Sequence, residues 1–204
     1  MDILPIFRMR SLLARIYFRI VFAPFLARAG HGSVVVRPRG IQGARNIYIG
    51  IDAYVADGSF IAAVPHTDAK ECSLIIGDRC KLGANNHVYA THCVVFEDDV
   101  LTAGNVYVAD NSHTFVHVDT PILQQPIRQL SKVRIGSGSW LGQNVCIIGA
   151  SVGKGCVIGA NSIVTSDIPD FCVAAGAPAK VVRRYDHHSG QWLKEVVNDD
   201  KAEN

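Results

Sequence analysis

Residues 135–164 read IGSGSWLGQNVCIIGASVGKGCVIGANSIV and contain the period that decides the fold. Aliphatic residues recur there at steps of six, usually followed by Gly, with a single step of five; they are Ile135, Leu141, Ile147, Val152, Ile158 and Val164. This period matches neither an α-helix nor a simple alternating strand. It matches a short strand followed by a corner, with the aliphatic side chain inside and a small residue at the bend.

The same six-residue period occurs in two earlier stretches, 49–62 and 76–94. Three such units would close one triangular coil, and coils would stack through parallel strands about 4.8 Å apart. One repeat cannot bury its own apolar side chain, so the core depends on stacking. The sequence therefore predicts an all-β chain folded as a parallel β-helix. The alternative, a β-sandwich, would show turn signals about every 8–12 residues.

Composition restricts the class of protein. The chain has 204 residues, of which 49% are hydrophobic and 19% charged, and this favours one domain with a sizeable core. The net charge of +2 and the lack of an aromatic and basic motif argue against a nucleic-acid partner. Six cysteines occur without a CxxC pair or a secretory leader, so we expect reduced thiols and a cytoplasmic protein.

The period divides the chain into three parts. A basic segment, 1–30, precedes the β-helix domain, 31–180, and a polar tail follows, 181–204. Within the domain, 62–73 and 111–132 break the period with prolines and polar residues, so both are predicted to leave the coil as loops. Long excursions from a regular scaffold tend to be functional. Short helical segments are predicted at both ends of the chain, the C-terminal one around Trp192 and Leu193.

The N-terminal segment has the pattern of a basic amphipathic helix. Three arginines fall on one face at helical spacing, opposite Leu12 and Ile16; they are Arg8, Arg15 and Arg19. Its longest apolar run has eight residues, Ile20 to Ala27, too short to span a bilayer. Two uses remain open. The helix caps the end of the repeat core, which we favour, or it makes a weak peripheral contact with an anionic membrane.

Several motifs add to the period. They are Asp110-Asn111-Ser112-His113, Pro126-Ile127, Ile135-Gly136 through Trp140-Leu141-Gly142, Val157 to Val164, and Ala175-Gly176-Ala177-Pro178-Ala179-Lys180. With these motifs, residues 45–184 resemble the hexapeptide-repeat acyltransferases, in particular the maltose and galactoside O-acetyltransferases and bacterial polysaccharide O-acetyltransferases. The resemblance implies a left-handed β-helix, a homotrimer with donor sites between subunits, and acetyl-CoA as the acyl donor without a metal. One departure is a turn, 147–152, that is one residue shorter than usual.

Acyl transfer to a hydroxyl needs a base, because a neutral hydroxyl is a poor nucleophile at pH 7. Histidine, with an unperturbed pKa near 6.5, is suited to that role. We choose His113, which matches the catalytic histidine of the family and lies where the second loop begins. Asp110 or a backbone carbonyl is expected to orient its ring. His117, four residues later, is a weaker candidate.

The resemblance also implies the residues that bind substrates. Asn85 matches an acceptor-contacting position. The positions expected along the coenzyme A donor are Trp140, Gly142, Ala160, Thr165, Ser166, Ala177, Pro178, Lys180 and Arg183. The small residues among them have an equally good structural explanation, since coil corners need Gly or Ala with or without a ligand.

Two other functions compete with acyl transfer. His87 and His92 have the spacing of a metal pair in γ-type carbonic anhydrases, which use the same scaffold with zinc between subunits, but a third histidine at the earlier position is missing. The other alternative is a β-helix without catalytic activity that serves as an assembly scaffold. The complete Asp-Asn-Ser-His motif disfavours it.

Overall fold

The structure, a computed structural model, describes residues 4–195, with side chains from residue 12 onward. One helix, α1 (Leu4–Val21), precedes the strands, and short 3-10 turns cover Ala23–Phe25, Ala44–Asn46 and Ile122–Gln124. In chain order, strands β1 to β22 are Arg28–Ala29, Val34–Val35, Gly40–Gln42, Ile47–Ile49, Tyr54–Val55, Phe60–Ala63, Ser73–Ile76, Lys81–Leu82, His87–Ala90, Cys93–Phe96, Leu101–Thr102, Tyr107–Ala109, Asn111–His113, Ile127–Gln129, Val133–Ile135, Trp140–Leu141, Cys146–Ile148, Val157–Ile158, Ile163–Val164, Cys172–Gly176, Ala179–Asp186 and Gln191–Lys194.

The strands form three parallel sheets, which are the faces of a β-helix. Face one has the order β1-β4-β7-β10-β15, and face three has the order β3-β6-β9-β12-β17-β19. Face two contains β2-β5-β8-β11-β16-β18-β20, and β21 and β22 extend it in antiparallel order. Each strand pairs with the strand one coil further along the chain, as the six-residue period predicts.

Register places the periodic aliphatic residues on top of one another. On face one, Ile49, Ile76, Phe96 and Ile135 are paired from coil to coil. Each is at most 1% exposed. Since burying one such side chain contributes roughly 1.5–3 kcal/mol, the stacked column supplies the core that a single repeat lacks. The shortened turn keeps this register, because Val152 bridges to Ile135 on one side and to Ile168 on the other.

The corner between faces two and three explains a recurrent asparagine. Asn85, Asn105, Asn144 and Asn161 occupy this corner in successive coils, all with φ between 58° and 61°. Asparagine tolerates this left-handed conformation better than most residues do. The amide of Asn144 also donates to the side-chain oxygen of Asn161 at 2.9 Å. The corner therefore selects Asn for its backbone geometry.

Helix α1 lies over the open end of the first coils. Phe18 is fully buried in the core cluster, and Ala14 and Phe22 pack beside it. The side chain of Arg19 donates to the carbonyl of Ala29 at 3.0 Å and to that of Gly30 at 2.6 Å. No helix within residues 4–195 is both long and apolar enough to cross a bilayer.

The contacts of α1 correct one expectation. A capping segment was expected to bury its apolar residues against the first repeat; Phe18 is buried, but Leu12 and Ile16 are exposed on the outer side of the helix. Arg15 points toward the coil and donates to the carbonyl of Gly32. The arginine face thus lies nearer the coil than the aliphatic stripe does. The expectation for the side chain of Arg8 lies outside the described side chains.

The predicted C-terminal helix is wrong. Residues 179–194 form the hairpin of β21 and β22, with Tyr185 opposite Trp192. The turn is closed by the carboxylate of Asp186, which accepts from the backbone of His188 at 3.0 Å and from the hydroxyl of Ser189 at 2.6 Å. An Asp that bonds the backbone two residues later is a common turn device. The hairpin adds to the edge of face two, which a helix would have left unpaired.

Candidate active site

The second loop forms a hairpin at the edge of face three. The chain leaves the coil after β12 (Tyr107–Ala109) and returns at β15 (Val133–Ile135), and the arms β13 and β14 pair in antiparallel order. His113 ends the outgoing arm opposite Ile127 and is exposed. It opens into a cleft of about 370 Å³, which we call the histidine cleft, lined by His87, Tyr89, Tyr107, Asn111, Ser112, His113, Ile127 and Ile148.

Asp110 fixes the start of this hairpin. It is fully buried, and its two carboxylate oxygens accept hydrogen bonds from the corner of the preceding coil. One oxygen accepts from the backbone N–H and the hydroxyl of Thr91 at 2.8 and 3.0 Å. The other accepts from the N–H groups of His92 and Cys93 at 2.8 and 2.7 Å. These four donors hold the carboxylate, and with it the start of β13, in place.

These bonds change the role expected for Asp110. The described structure contains no hydrogen bond between its carboxylate and the ring of His113, because both oxygens are committed to residues 91–93 and to the amide of Asn111. Asp110 therefore does not orient the imidazole directly. It holds the backbone from which β13 starts, three residues before His113, and is a positioning residue.

Gln129 is a further positioning residue that the sequence did not reveal. Its amide donates to the carbonyl of Asp110 at 2.7 Å, and its oxygen accepts from the hydroxyls of Thr91 at 2.9 Å and Thr67 at 2.6 Å. Gln129 thus ties the returning arm of the hairpin to the outgoing arm and to the first loop, 62–73. Its place two residues after the Pro126-Ile127 motif was the available signal.

Aromatic side chains form one wall of the histidine cleft. Phe60, His87 and Tyr107 occupy equivalent positions in three successive coils, with ring centroids 4.8 and 5.4 Å apart. They point outward because their neighbours in each strand point into the core. Tyr89 stands beside them, and its hydroxyl is 2.6 Å from Nδ1 of His66. Cross-strand aromatic stacking of this kind stabilises the sheet and leaves flat ring faces toward the cleft.

His87 is electrostatically biased toward its neutral form. Partial burial lowers its pKa, and the nearby guanidinium of Arg39 lowers it further. A nitrogen of Arg39 lies 3.2 Å from Nδ1 of His87, and its guanidinium carbon lies 5.8 Å from the ring centre of Phe60. Because arginine only donates hydrogen bonds, Nδ1 of His87 accepts and the ring proton resides on Nε2.

A second cleft of about 690 Å³ adjoins the first and shares Ser112 and Ile148 with it; its lining is Ser112, Arg128, Gln129, Leu130, Ser131, Ile148, Gly149 and Thr165. The loop end packs closely here, since a Cβ on Gly149, whose φ is +59°, would lie 2.6 Å from Cβ of Leu130. Thr165, predicted to contact the donor, therefore lies within reach of the loop that carries His113. Ser166 follows it at the same corner and is exposed.

The other predicted donor positions lie at a different corner. Gly142 and Ala160 stack between faces two and three, where a Cβ on Gly142 would lie 2.7 Å from the nitrogen of Ala160. The turn with the cis peptide Ala177-Pro178 continues this column, and its residues are exposed. Trp140 on β16, 48% exposed, and Lys180 and Arg183 on β21 lie along face two.

Strand β19, Ile163–Val164, separates Ala160 from Thr165. The two groups of predicted donor residues therefore lie at opposite edges of face three within one chain. The structure leaves their contact with coenzyme A as a prediction.

The other sequence-based candidates have structural explanations. Asn85 belongs to the left-handed corner column and is not among the residues that line the histidine cleft. His117 lies in the loop, where its carbonyl accepts from the amide of Gln125 at 2.9 Å. Among the described residues, no group of three or more His, Cys, Asp or Glu side chains could hold a metal ion. The guanidinium against His87 is moreover an unfavourable neighbour for a metal bound by that ring.

The stacked coils, the hexapeptide period and the hairpin with its histidine define the class of this protein. It is a left-handed parallel β-helix of the hexapeptide-repeat type.

Comparison with known proteins agrees with this class. Residues 73–109 and 132–166 match the family described as the hexapeptide repeat of succinyl-transferase. A protein of Escherichia coli named as a lipopolysaccharide biosynthesis O-acetyl transferase is 35% identical over 128 residues, which cover 59% of this chain and 65% of that protein. A Mycobacterium tuberculosis protein named as an acetyltransferase is 40% identical over 116 residues, which cover 56% of this chain and 38% of that protein. The chain thus spans less than two thirds of either relative.

Solved structures show the same architecture. A galactoside acetyltransferase in complex with coenzyme A is 25% identical, with a TM-score of 0.57, and the match covers 100% of this chain and 92% of that chain. An N-acyltransferase from Bacillus cereus, in complex with dTDP and 3-hydroxybutyryl-CoA, has a TM-score of 0.68 at 16% identity and shows the fold alone; coverage is 81% and 87%. In sequence and in fold the chain is thus similar to hexapeptide-repeat acetyltransferases.

Proposed function

We propose that the protein transfers an acetyl or other short acyl group from coenzyme A to a hydroxyl of a sugar or glycan. The observation that carries the proposal is the position of His113, which ends β13 at the mouth of the histidine cleft, with the second cleft directly beside it. The relatives named as acetyltransferases and the galactoside acetyltransferase that binds coenzyme A support it.

The chemistry assigns one proton transfer to His113. With acceptor and donor bound together, the neutral imidazole takes the hydroxyl proton as the oxygen attacks the thioester carbonyl carbon. The tetrahedral intermediate then collapses, the C–S bond breaks, and the imidazolium returns the proton to the coenzyme A sulfur. The products are the ester and the free thiol, so transfer is direct and leaves no acyl group on the enzyme.

The aromatic wall indicates what the acceptor presents to the cleft. His87, Tyr89 and Tyr107 line the cleft beside His113 with flat, partly buried rings. Such faces bind the apolar face of a sugar ring, while the hydroxyl oxygen of Tyr89 and the side-chain oxygen of Asn111 can accept hydrogen bonds from its polar edge. This arrangement favours a sugar over a linear alcohol. The neutral state of His87 avoids an extra charge beside the incoming oxygen.

A homotrimer would explain why the predicted donor residues are separated. In one chain Ala160 and Thr165 lie at opposite edges of face three. Three β-helices packed side by side around a threefold axis would bring the Ala160 edge of one chain next to the Thr165 edge of its neighbour. Light scattering at assay concentration should give three times the chain mass. An active monomer would contradict the assembly.

The same proposal places the enzyme in the cytoplasm. All six cysteines are free, and Cys80, Cys156 and Cys172 are buried. Unpaired buried thiols are typical of reducing compartments. Cell fractionation should recover the protein in the cytoplasmic fraction. A disulfide-bonded form recovered outside the cytoplasm would contradict the proposal.

An acceptor screen tests the function. The purified protein is incubated with acetyl-CoA and galactosides, nucleotide sugars or lipid-linked glycans, and acceptor-dependent thiol release is recorded together with the mass of the product. We expect a gain of one acetyl group that hydroxylamine removes, since it cleaves esters and spares amides. Zinc content and CO₂ hydration are measured on the same sample. Stoichiometric zinc with hydration activity and no thiol release would favour the carbonic anhydrase alternative.

A further inference from the structure

Helix α1 presents three distinct stripes along its described part. Residues 14, 18 and 22, spaced four apart, face the core, and Phe18 is fully buried. Arg15 and Arg19 flank this stripe and donate to carbonyls of the first coil. These contacts fix the rotation of the helix about its axis. The direction of its third stripe is therefore determined by the structure.

The third stripe points away from the protein and is apolar. Leu12, Leu13, Ile16, Tyr17 and Ile20 are 58%, 58%, 48%, 55% and 69% exposed, and Phe25 in the turn that follows is 59% exposed. At 100° per residue, positions 12, 16, 20, 13 and 17 fall within one arc of the helix. A capping helix at a solvent-exposed end would carry polar residues here. We call these six side chains the outer face of α1.

The chain segment that contains α1 and the first coil is rich in arginine. Residues 12–51 contain six arginines and no Asp or Glu; the arginines are Arg15, Arg19, Arg28, Arg37, Arg39 and Arg45. Among the described side chains, Arg37 is the one member of this group that forms a salt bridge, with Asp57. Arg28 and Arg45 are exposed close to the end of the β-helix that α1 covers. An apolar face bordered by cations complements a surface that is apolar inside and anionic at its rim.

We propose that the outer face of α1 inserts into the interface of an anionic membrane, so that the N-terminal end of the β-helix faces the bilayer. The aliphatic residues lie among the upper acyl chains, and Tyr17 and Phe25 lie at the level of the headgroups. The arginines around this end of the β-helix meet lipid phosphates. Binding is reversible, since one amphipathic helix inserts only to the depth of its apolar face. The inference does not depend on acyl transfer.

Vesicle co-sedimentation of the full chain tests this surface. The vesicles contain phosphatidylcholine alone or with a quarter phosphatidylglycerol. We expect tighter binding to the anionic vesicles and weakening with added salt. The triple variant Leu12→Ser, Ile16→Ser, Ile20→Ser should bind roughly 10-fold or more weakly. A matched control, Val118→Ser, Ile122→Ser, Leu123→Ser, removes equally exposed aliphatics from the loop 111–132 and should bind as the wild type does.

A second measurement covers the case in which the triple variant is poorly folded. Ile20→Trp keeps an apolar residue at the outer face, and its fluorescence should be quenched by brominated lipid more strongly than that of the wild type, whose tryptophans are Trp140 and Trp192. Equal binding to neutral and anionic vesicles, or equal quenching in both proteins, overturns the proposal. The proposal is also overturned if the wild type binds no vesicles and the triple variant forms a smaller oligomer than the wild type does. That result would mean that a second copy of the chain covers the outer face.

Discussion

Asp110→Asn should destabilise the protein strongly, because the amide cannot accept the bonds that the carboxylate accepts. One oxygen of Asp110 accepts from two donors of Thr91, and the other accepts from the backbone of His92 and Cys93. Whichever oxygen becomes the NH₂ group, at least two buried donors lose their acceptor. Each costs about 1–3 kcal/mol, so we expect a loss of about 2–6 kcal/mol in the free energy of unfolding.

Thermal unfolding followed by circular dichroism measures this loss. For a chain of this size the midpoint should fall by about 4–24 °C. Below the transition, kcat should also fall because β13 is no longer held, whereas the KM for acetyl-CoA should change little. A lower kcat with an unchanged KM distinguishes a positioning role of Asp110 from a general loss of stability.

Asp167→Asn provides the matched control. The carboxylate of Asp167 is exposed and accepts a single backbone bond, from Ser151 at 2.7 Å. The same substitution should therefore cost no more than about 1.5 kcal/mol. If the midpoint of Asp110→Asn lies within about 2 °C of this control, or if its kcat is unchanged, the assigned role of Asp110 is refuted.

Three further predictions follow from the pKa shifts. Arg39→Ala removes one cause of the lowered pKa of His87, so NMR titration should show that pKa rise toward 6.5, and an unchanged value would contradict the contact. In the wild type, His87 binds a proton more readily in the unfolded chain than in the folded one, because folding lowers its pKa. The free energy of unfolding should therefore fall as the pH drops below about 6.5. A loss of stability confined to higher pH would contradict this direction. Burial raises the pKa of the Cys72 and Cys80 thiols to about 11. Both should react slowly with a disulfide reagent at pH 8 until the protein unfolds, because little thiolate is present, and rapid labelling of either in the native state would contradict the raised pKa values.

The six-residue period predicted the coil because it encodes a local and a global requirement together. Ile49, Ile76 and Ile135 each end a short strand and each also stack in the column that forms the core. Where the local and the global requirement select the same residues, the fold can be predicted from the sequence. The histidine hairpin was located for the converse reason, since the prolines and polar residues of 111–132 cannot continue the period.

Features that depend on contacts between coils escaped prediction. The bonds of Asp110 reach back to residues 91–93, and no local pattern shows which donors a buried carboxylate will meet. The C-terminal hairpin had weak local signals, β-branched Val181 and Val182 and the turn after Asp186, but its decisive partner is the free edge of face two. Which side of α1 would meet the core was fixed by Phe18, a single residue within a largely apolar segment.

The central claim is that His113 takes the acceptor proton during acyl transfer, and one comparison of rates tests it most directly. Acceptor-dependent thiol release from acetyl-CoA is measured for the wild type, for His113→Ala and for His117→Ala, which changes an exposed histidine of the same loop. We expect His113→Ala to lower the rate about 10²- to 10⁴-fold while acetyl-CoA affinity stays the same, and His117→Ala to stay within a few-fold of the wild type. A His113→Ala enzyme that retains the wild-type rate within a few-fold would show that His113 is not the base.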